Sequence, residues 1–205
     1  MRARIIVIIV IAFAVGALGA VLLRGGGGQQ TGAPQSTGRA LIGGPFTLTD
    51  HNGRTVTEKD LLGKYSLVVF GYTFCPDICP TELGLMTEAL NKLGPKADAI
   101  TPVFITIDPK RDTVEQMKNY VGSFHPRFIG LTGTEEQIRQ AASGYRVYYA
   151  QSGGGGGGDP KTDAYLMDHS TFIYLMDPKG QYVSHFGYGL SAEDLAGRLE
   201  KSVGG

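Results

Sequence analysis

The chain has 205 residues, of which 19 are Lys or Arg and 19 are Asp or Glu, so its formal net charge at pH 7 is zero. It contains no block of basic residues, which excludes the electrostatic footprint of a nucleic-acid-binding protein. About 165 residues follow the first 40, a length typical of one domain with its own hydrophobic core.

An apolar segment lies at the start of the chain. Residues 5–23 read IIVIIVIAFAVGALGAVLL, which is 19 consecutive apolar or glycine residues after Arg2 and Arg4. A helix needs about 20 such residues to cross a bilayer, and flanking positive charges stay in the cytoplasm. Residues 1–24 are therefore predicted to be a single-pass transmembrane anchor in the inner (cytoplasmic) membrane, with the folded domain on the periplasmic side. A cleavable signal peptide is the rival interpretation, but its apolar region usually has only about 7 to 15 residues.

A linker is predicted after the anchor. Residues 25–39 are rich in Gly, Gln, Ser and Thr and have no large apolar side chain, which is the composition of a flexible tether. Residues 40–205 are predicted to form the folded domain. Within it, six consecutive glycines at 153–158 lack the Gly-Lys-Ser/Thr ending of a phosphate loop, so we interpret them as a mobile loop insertion.

The first half of the domain alternates strand and helix. Residues 66–72 (SLVVFGY) and 99–108 (AITPVFITID) are short apolar runs rich in β-branched residues, typical of strands that are covered on both faces. Between them, apolar residues recur at helical spacing until Gly94 and Pro95 end the pattern. This apolar stripe consists of Leu83, Met86, Leu90 and Leu93.

The second half of the domain adds helices and a hairpin. Residues 170–176 (STFIYLM) and 181–186 (QYVSHF) flank the turn sequence DPKG and predict a β-hairpin. Three patterns with Gln or Asp three residues after Ser or Thr predict helix starts, and the last of these helices extends to about Val203. Together the elements predict an α/β domain with a mixed sheet flanked by helices. The three patterns begin at Thr113, Thr134 and Ser191.

Both cysteines of the chain lie in the stretch GYTFCPDICPTEL, at Cys75 and Cys79. Because proline is tolerated in a helix only in its first turn, Pro80 indicates that the helix begins near residue 77 or 78, with Asp77 as a candidate N-cap. Cys79 then lies in the first turn and Cys75 in the preceding loop. Free amides and the dipole at a helix start favour thiolates, so we expect both thiol pKa values to be lowered.

A structural disulfide is the ordinary use of two cysteines in an exported domain. The loop closed between Cys75 and Cys79 would be very short and would restrict the unfolded chain little. A domain of this size also does not need a disulfide for its stability. The position between a core strand and a helix start is instead typical of a reactive pair. A peroxidase based on Cys75 is a weaker interpretation, because nothing in the sequence marks a peroxide pocket.

A metal site would need a further ligand. Thiolates are soft donors that favour Cu(I), and one imidazole would complete a three-coordinate site. His51 and His125 lie in a predicted turn and loop, and His185 lies within a predicted strand. His169 directly precedes the first hairpin strand, and its neighbour Asp168 could orient the imidazole by a hydrogen bond. The residues alone leave open whether His169 is a ligand or only a cap or turn residue.

Four separated blocks resemble the Sco/SenC family of thioredoxin-like copper proteins, which are held to a membrane by one N-terminal helix. The similarity extends from about residue 44 to residue 199. It implies a thioredoxin-like fold in which Cys75, Cys79 and His169 bind copper as Cu(I) and/or Cu(II). The blocks are GYTFCPDICPTEL, VFITIDPKRDTVEQMKNYVGSF, GLTG and YLMDHSTFIYLMDPKG.

Two positions depart from the family pattern. Phe74 stands where many relatives carry His, so no additional imidazole adjoins the first cysteine. Met167 stands where an aliphatic residue is common, and in an extended segment it would face the same way as His169. Core packing is favoured for Met167 over a thioether ligand. Asp77 and Asp108 are interpreted as a helix cap and a turn former.

The resemblance also implies a function. It predicts that the protein is a copper metallochaperone and assembly factor that helps to mature the CuA centre of cytochrome c oxidase, with Cys75 and Cys79 as a redox-active pair. Its expected partners are subunit II of that oxidase and, in addition, other copper chaperones or a thioredoxin-like reductase. Nucleic acid is not an expected partner. The alternative is a membrane-anchored thiol-disulfide oxidoreductase that keeps target-protein cysteines reduced, with any copper incidental.

Overall fold

The structure is a computed structural model that describes residues 41–152 and 165–204. The predicted anchor (1–24), the predicted linker (25–39) and the glycine run (153–158) lie outside these ranges, so their interpretation remains a prediction. Among the described residues, no helix combines the length and the hydropathy that a membrane crossing requires.

Nine strands lie in the described part of the chain, and most of them share one sheet. In chain order they are β1 (Thr47–Asp50), β2 (Thr55–Thr57), β3 (Tyr65–Gly71), β4 (Ile100–Thr106), β5 (Ile129–Thr132), β6 (Tyr149–Ser152), β7 (Leu166–His169), β8 (Phe172–Met176) and β9 (Tyr182–Gly187). The sheet has the order β2-β1-β5-β4-β3-β8-β9. β3, β4 and β5 are parallel and the other neighbours antiparallel, while β6 and β7 form a separate antiparallel ribbon.

Four α-helices accompany the strands in the described ranges. They are α1 (Ile78–Leu93), α2 (Val114–Val121), α3 (Glu135–Gly144) and α4 (Ala192–Val203). Helices α2, α3 and α4 begin where the sequence predicts, because the N-cap hydroxyl of each accepts a backbone N–H three residues later. These N-caps are Thr113, Thr134 and Ser191.

The two faces of the sheet bury two apolar clusters. Successive side chains of a strand point to opposite faces. Leu67 and Val69 of β3 therefore pack in the cluster that contains residues of α1, α2 and α4, whereas Val68 and Phe70 pack in the cluster that contains residues of α3. Burial on both faces explains why β3 is apolar from Leu67 to Phe70. The mixed sheet with helices on both faces confirms the predicted α/β class.

Several strands are absent from the sequence-based prediction. β1, β2, β5, β6 and β7 have only three or four residues each, and strands this short carry little periodic signal. The first hairpin strand also begins two residues later than predicted, at Phe172. The backbone N–H of Ser170 donates to the Tyr148 carbonyl at 2.9 Å, so the chain at this point is still bonded to the neighbouring β6 segment.

Candidate functional site

The cysteine loop leaves the carboxyl end of β3 and enters α1. Cys75 is partly exposed in this loop, as predicted, and its sulfur accepts the backbone N–H of Cys79 at 3.4 Å. Asp77 occupies the predicted N-cap position, but its side chain makes no capping hydrogen bond. The sulfur of Cys75 therefore takes the place that a capping oxygen usually has at a helix start.

Cys79 lies in the first turn of α1, as predicted, and is only 1% exposed. It packs directly against the end of β3. A Cβ atom added to Gly71 would come within 2.6 Å of the Cys79 sulfur and 2.9 Å of the Phe104 ring, so glycine at this position makes room for the buried sulfur. Neither cysteine forms a disulfide in the structure.

His169 reaches the cysteines because of the strand order. It is the last residue of β7, and the following strand β8 pairs antiparallel with β3, with Ile173 opposite Val69 near the end from which the cysteine loop leaves. Its Nε2 atom lies 3.6 Å from the Cys79 sulfur, although the two residues are 90 positions apart. The imidazole also meets the Tyr72 ring edge-on, with 6.2 Å between the ring centroids.

A main-chain carbonyl orients the imidazole. Nδ1 of His169 lies 3.0 Å from the carbonyl oxygen of Ser170, so Nδ1 donates to that oxygen and Nε2 faces the sulfurs. The sequence suggested Asp168 as this partner, which is wrong. Asp168 is exposed and accepts a hydrogen bond from the Ser152 hydroxyl at 3.2 Å. Because successive residues of a strand point to opposite sides, Asp168 faces away from the site.

The two thiols differ in acidity. A hydrogen bond with the Cys79 thiol lowers the pKa of Cys75 to about 3, and bonds from His169 and from the amides of Cys79 and Asp77 act in the same direction against the effect of burial. The same thiol–thiol hydrogen bond, together with burial, raises the pKa of Cys79. The expectation that both thiols are acidified is therefore wrong for Cys79, because a second negative charge beside the first is disfavoured.

Two further groups respond to the charge on Cys75. Burial opposes the imidazolium form of His169, but its hydrogen bonds to Cys75 and to the Ser170 carbonyl outweigh burial and raise its pKa. Burial raises the pKa of Glu82 to about 7, with His169 opposing this shift and Cys75 adding to it. Glu82 is 4% exposed, and its Oε2 atom has no hydrogen-bond partner among the described residues. A thiolate, an imidazole and a buried carboxyl group therefore interact at this site.

Sequence reasoning missed Glu82 and Arg111. Glu82 lies three residues after Cys79 on the buried face of α1, so the interruption of an apolar stripe by a charged residue was an available signal. Arg111 follows β4 and its guanidinium lies over the ring of Phe74, beside Cys75, at 4.7 Å from the centroid. No local pattern in the sequence links Arg111 to Phe74.

The remaining candidates lie apart from the cysteines or pack in the core. Nδ1 of His51 and of His125 each accepts a main-chain N–H, from β5 and from a nearby loop residue respectively. His185 is exposed on β9 and hydrogen-bonds with the Tyr182 hydroxyl. Met167 is half-buried against the apolar cluster next to α3, which favours the packing role.

The arrangement has the chemistry of a soft-metal site. Two sulfurs and one imidazole are ligands that suit Cu(I), and Cys75 is held as a thiolate. Within the described ranges, no three His, Cys, Asp or Glu side chains are spaced as a ready-made metal cluster. Cys75, Cys79 and His169 are instead hydrogen-bonded to one another, and a metal ion would replace these hydrogen bonds. The same two thiols can also interconvert with a disulfide.

Comparison with known proteins places the chain in a family. The SCO1/SenC family model matches residues 34–204. Protein sco1 of Schizosaccharomyces pombe is 46% identical over 163 residues, which are 78% of this chain and 60% of that protein, so the chain spans about three fifths of its relative's length.

Two solved structures are similar to this chain in both sequence and fold. Bradyrhizobium japonicum ScoI with copper bound is 45% identical, with 78% of this chain and 98% of the other covered and a TM-score of 0.70. Yeast Sco1 with copper bound is 42% identical, with 80% and 90% covered and a TM-score of 0.73. These likenesses confirm the thioredoxin-like fold. The chain, with its dithiol loop and its strand-end histidine, belongs to the SCO1/SenC family.

Proposed function

We propose that the protein is a copper metallochaperone that binds copper, its cargo, through the sulfurs of Cys75 and Cys79 and the imidazole of His169. The observation that carries the proposal is the approach of His169 Nε2 to within 3.6 Å of the Cys79 sulfur. Two thiols and an imidazole form a compact set of soft ligands. Copper-bound structures of two relatives support the choice of metal.

The residues around the ligands prepare the site for a metal ion. The carbonyl of Ser170 accepts the Nδ1 proton of His169, so Nε2 is the nitrogen that faces the sulfurs and would bind the metal in place of its hydrogen bond to them. Cys75 is already a thiolate, whereas Cys79 keeps its proton until metal binding displaces it. Oxidation of the two thiols to a disulfide would remove both sulfur ligands, so copper binding depends on the redox state of the pair.

The family resemblance supports a destination for the copper. We propose that the protein helps to mature the CuA centre in subunit II of cytochrome c oxidase. Residues 1–24 would hold it in the inner membrane with the domain on the periplasmic side, where an exported copper centre is assembled. Other copper chaperones would supply the metal, and a thioredoxin-like reductase would keep the two thiols reduced.

The asymmetry of the two thiols favours a second candidate function. A partly exposed, acidic Cys75 next to a buried, weakly acidic Cys79 suits a thiol-disulfide oxidoreductase. The exposed thiolate would attack a disulfide of a target protein, and the buried thiol would then resolve the mixed disulfide, which reduces the target and oxidises the pair. This function needs the two cysteines but not the imidazole of His169.

Replacement of His169 separates the two functions. The His169→Ala protein loses one of three proposed ligands. Loss of a residue that only supports a ligand commonly weakens metal binding by about 10- to 100-fold, so loss of a ligand should weaken it at least as much. Anaerobic copper titration of the reduced full-length protein measures this effect. Its dithiol should still form a reversible disulfide and reduce a model disulfide. Cells that carry only this variant should lose cytochrome oxidase activity under copper limitation.

His185→Ala is the matched control. His185 is an exposed imidazole on β9, which β8 separates from β3, so its removal should leave copper affinity unchanged. Normal oxidase activity in copper-limited cells that carry only His169→Ala would contradict the chaperone function and favour the oxidoreductase.

A further inference from the structure

We propose that the loop Asp108–Asp112, which follows β4, is a positioning element that ties the strand carrying His169 to the loop carrying Cys75. Arg111 is its central residue. The inference rests on the copper site proposed above, since it concerns how that site is held in shape. The loop supplies no proposed copper ligand, and it acts through the segments that do.

Asp112 holds the cysteine side of the tie. Its carboxylate accepts the backbone N–H of Thr73 at 3.0 Å and the Thr73 hydroxyl at 2.6 Å. It also accepts the hydroxyl of Thr106, in β4, at 2.5 Å, and the residue is completely buried. Buried carboxylates that accept several hydrogen bonds hold their donors firmly. Thr73 stands two residues before Cys75, so the base of the cysteine loop is fixed to the end of β4.

Asp108 and Arg111 hold the histidine side of the tie through Tyr165, the residue before β7. The Tyr165 hydroxyl donates to the Asp108 carboxylate at 2.7 Å, and the Arg111 guanidinium donates to the Tyr165 carbonyl at 3.0 Å. The guanidinium also lies over the Tyr165 ring, 3.7 Å from its centroid. Both the side chain and the main chain of Tyr165 are therefore fixed, four residues before His169.

Arg111 joins the two sides. Its Nε atom donates to Asp108 at 2.5 Å, and the guanidinium lies 4.7 Å from the centroid of the Phe74 ring and 5.7 Å from that of Tyr72. Phe74 and Tyr72 belong to the segment that leads to Cys75. One guanidinium thus contacts a residue on each side of the proposed ligand set, in addition to its own loop.

The ion pair at the centre is suited to fixing positions rather than to adding stability. The side chains of Arg111 and Asp108 are only 9% and 3% exposed. Burial of two charges costs desolvation energy that roughly cancels their attraction, so a buried pair contributes little net stability but is costly to break from one side. The planar guanidinium fork fixes direction in a way that a lysine ammonium does not.

The consequence concerns the geometry of metal binding. The proposed sulfur ligands follow β3, whereas the imidazole ends β7 in the separate ribbon. Cys79 and His169 are 90 residues apart along the chain, so the chain connection itself does not fix the distance between them. Noncovalent bonds must therefore set the distance between the ligands, and loss of such supporting bonds at metal sites commonly costs about 10- to 100-fold in metal affinity.

Two conservative variants test the tie in the reduced full-length protein. Tyr165→Phe removes only the hydroxyl that bonds to Asp108, and Arg111→Lys keeps the charge but removes the fork and the ring contacts. In the metal-free protein, both should speed amide hydrogen exchange in the β6–β7 ribbon by about 10-fold or more, because hydrogen bonds to charged groups contribute roughly this factor. In copper titrations, both should weaken binding by about 10- to 100-fold and shift the thiolate-to-copper(II) absorption band.

Tyr65→Phe is the matched control for the hydroxyl. Its hydroxyl donates to the Ser202 carbonyl at 2.7 Å, the same distance as in the Tyr165 bond, but Tyr65 lies at the end of β3 opposite to the cysteines. Arg127→Lys is the control for the guanidinium, because Arg127 binds both the side chain and the carbonyl of Asp98, an exposed residue. Neither control should change ribbon exchange or copper affinity.

The two readouts separate this inference from the proposed function. Unchanged ribbon exchange in Tyr165→Phe would overturn the tie, whatever the copper titration shows. Faster exchange with unchanged copper affinity and absorption would also overturn the role assigned to the loop, because the tie would then not position the ligands. Absence of copper binding in the unsubstituted reduced protein would instead contradict the proposed function. Should Arg111→Lys fail to fold, Tyr165→Phe decides the matter.

Discussion

Cys75 and Cys79 differ in charge although only three residues separate them. Cys75 is partly exposed and accepts hydrogen bonds from Cys79 and from His169, which favour its thiolate. Cys79 is buried against Gly71, and its hydrogen bond with Cys75, its burial and the charge on Cys75 all raise its pKa. The helix start also donates amide hydrogen bonds to the Cys75 sulfur, from Cys79 and Asp77. Reactivity should therefore be concentrated on Cys75.

The reaction rate of Cys75 with iodoacetamide is expected to change little between pH 5 and pH 8 in the reduced, metal-free, full-length protein. Hydrogen bonding from Cys79 lowers the pKa of Cys75 to about 3, so this thiol is already deprotonated over the whole range. An unshifted thiol would react roughly ten times faster for each pH unit, because its pKa lies near 8.5. Peptide mass spectrometry measures the rate at each cysteine.

The Cys75→Ser protein is the control for this experiment. Only the buried Cys79 remains in it, so alkylation should be slow. A Cys75 rate in the unsubstituted protein that rises steadily up to pH 8 would show that its thiol is not acidified.

At the scale of elements, the end of β3 and the first turn of α1 form one packed unit. Gly71 ends β3, and Cys79 is the second residue of α1. The absence of a side chain at Gly71 lets the helix start approach the strand closely enough to bury the Cys79 sulfur. This approach sets the position of one proposed ligand, because the Cys79 sulfur is buried and only one rotatable bond joins it to the main chain of α1.

Gly71→Ala is expected to lower the free energy of unfolding by about 1–3 kcal/mol, the usual cost of overpacking a core. The new Cβ would lie 2.6 Å from the Cys79 sulfur and 2.9 Å from the Phe104 ring, so the Cys79 side chain and the Phe104 ring must shift. Copper affinity should fall as well, since a proposed ligand moves. Chemical denaturation of the reduced protein measures the first effect and copper titration the second.

Gly84→Ala, in the helix that carries Cys79, is the control. A Cβ at Gly84 meets nothing within 4 Å, and alanine is about 1 kcal/mol more favourable than glycine in a helix interior. This variant should therefore be more stable than the unsubstituted protein and should bind copper equally well. A Gly71→Ala protein as stable as Gly84→Ala would show that the strand and helix do not pack as tightly as the structure indicates.

For the whole molecule, the predicted anchor would determine the compartment in which the domain functions. Fractionation of bacterial cells that express the full-length chain is expected to leave it in the membrane, because residues 5–23 form an apolar run of about the length that a spanning helix needs. Protease added to spheroplasts should digest the domain, since Arg2 and Arg4 favour a cytoplasmic amino end. Immunoblotting of the fractions measures both outcomes.

A mature chain that begins near Ala20 or Val21 would contradict the anchor. It would show that the segment is a signal peptide that is removed after export. A protein recovered from the cytoplasm with its full mass would contradict export altogether.

Elements that depend on local interactions could be predicted from the sequence. The long apolar strands, the capped helices and the helix start at the cysteines are set by periodicity, by capping side chains and by the position of Pro80, all of which act within a few residues. The resemblance added the candidate ligand set, which the residues alone left open at His169. The short strands escaped prediction because three or four residues carry too little pattern.

Contacts between groups that are distant in the chain could be known only from the folded structure. It placed His169 3.6 Å from Cys79, gave the orienting role to the Ser170 carbonyl instead of Asp168, and left Cys79 protonated while Cys75 is acidified. It also brought the loop Asp108–Asp112 between the two ligand-bearing segments. Strand order, burial and the charge of a neighbouring group control these features, and each depends on residues far apart in the chain, so no local pattern could have specified them.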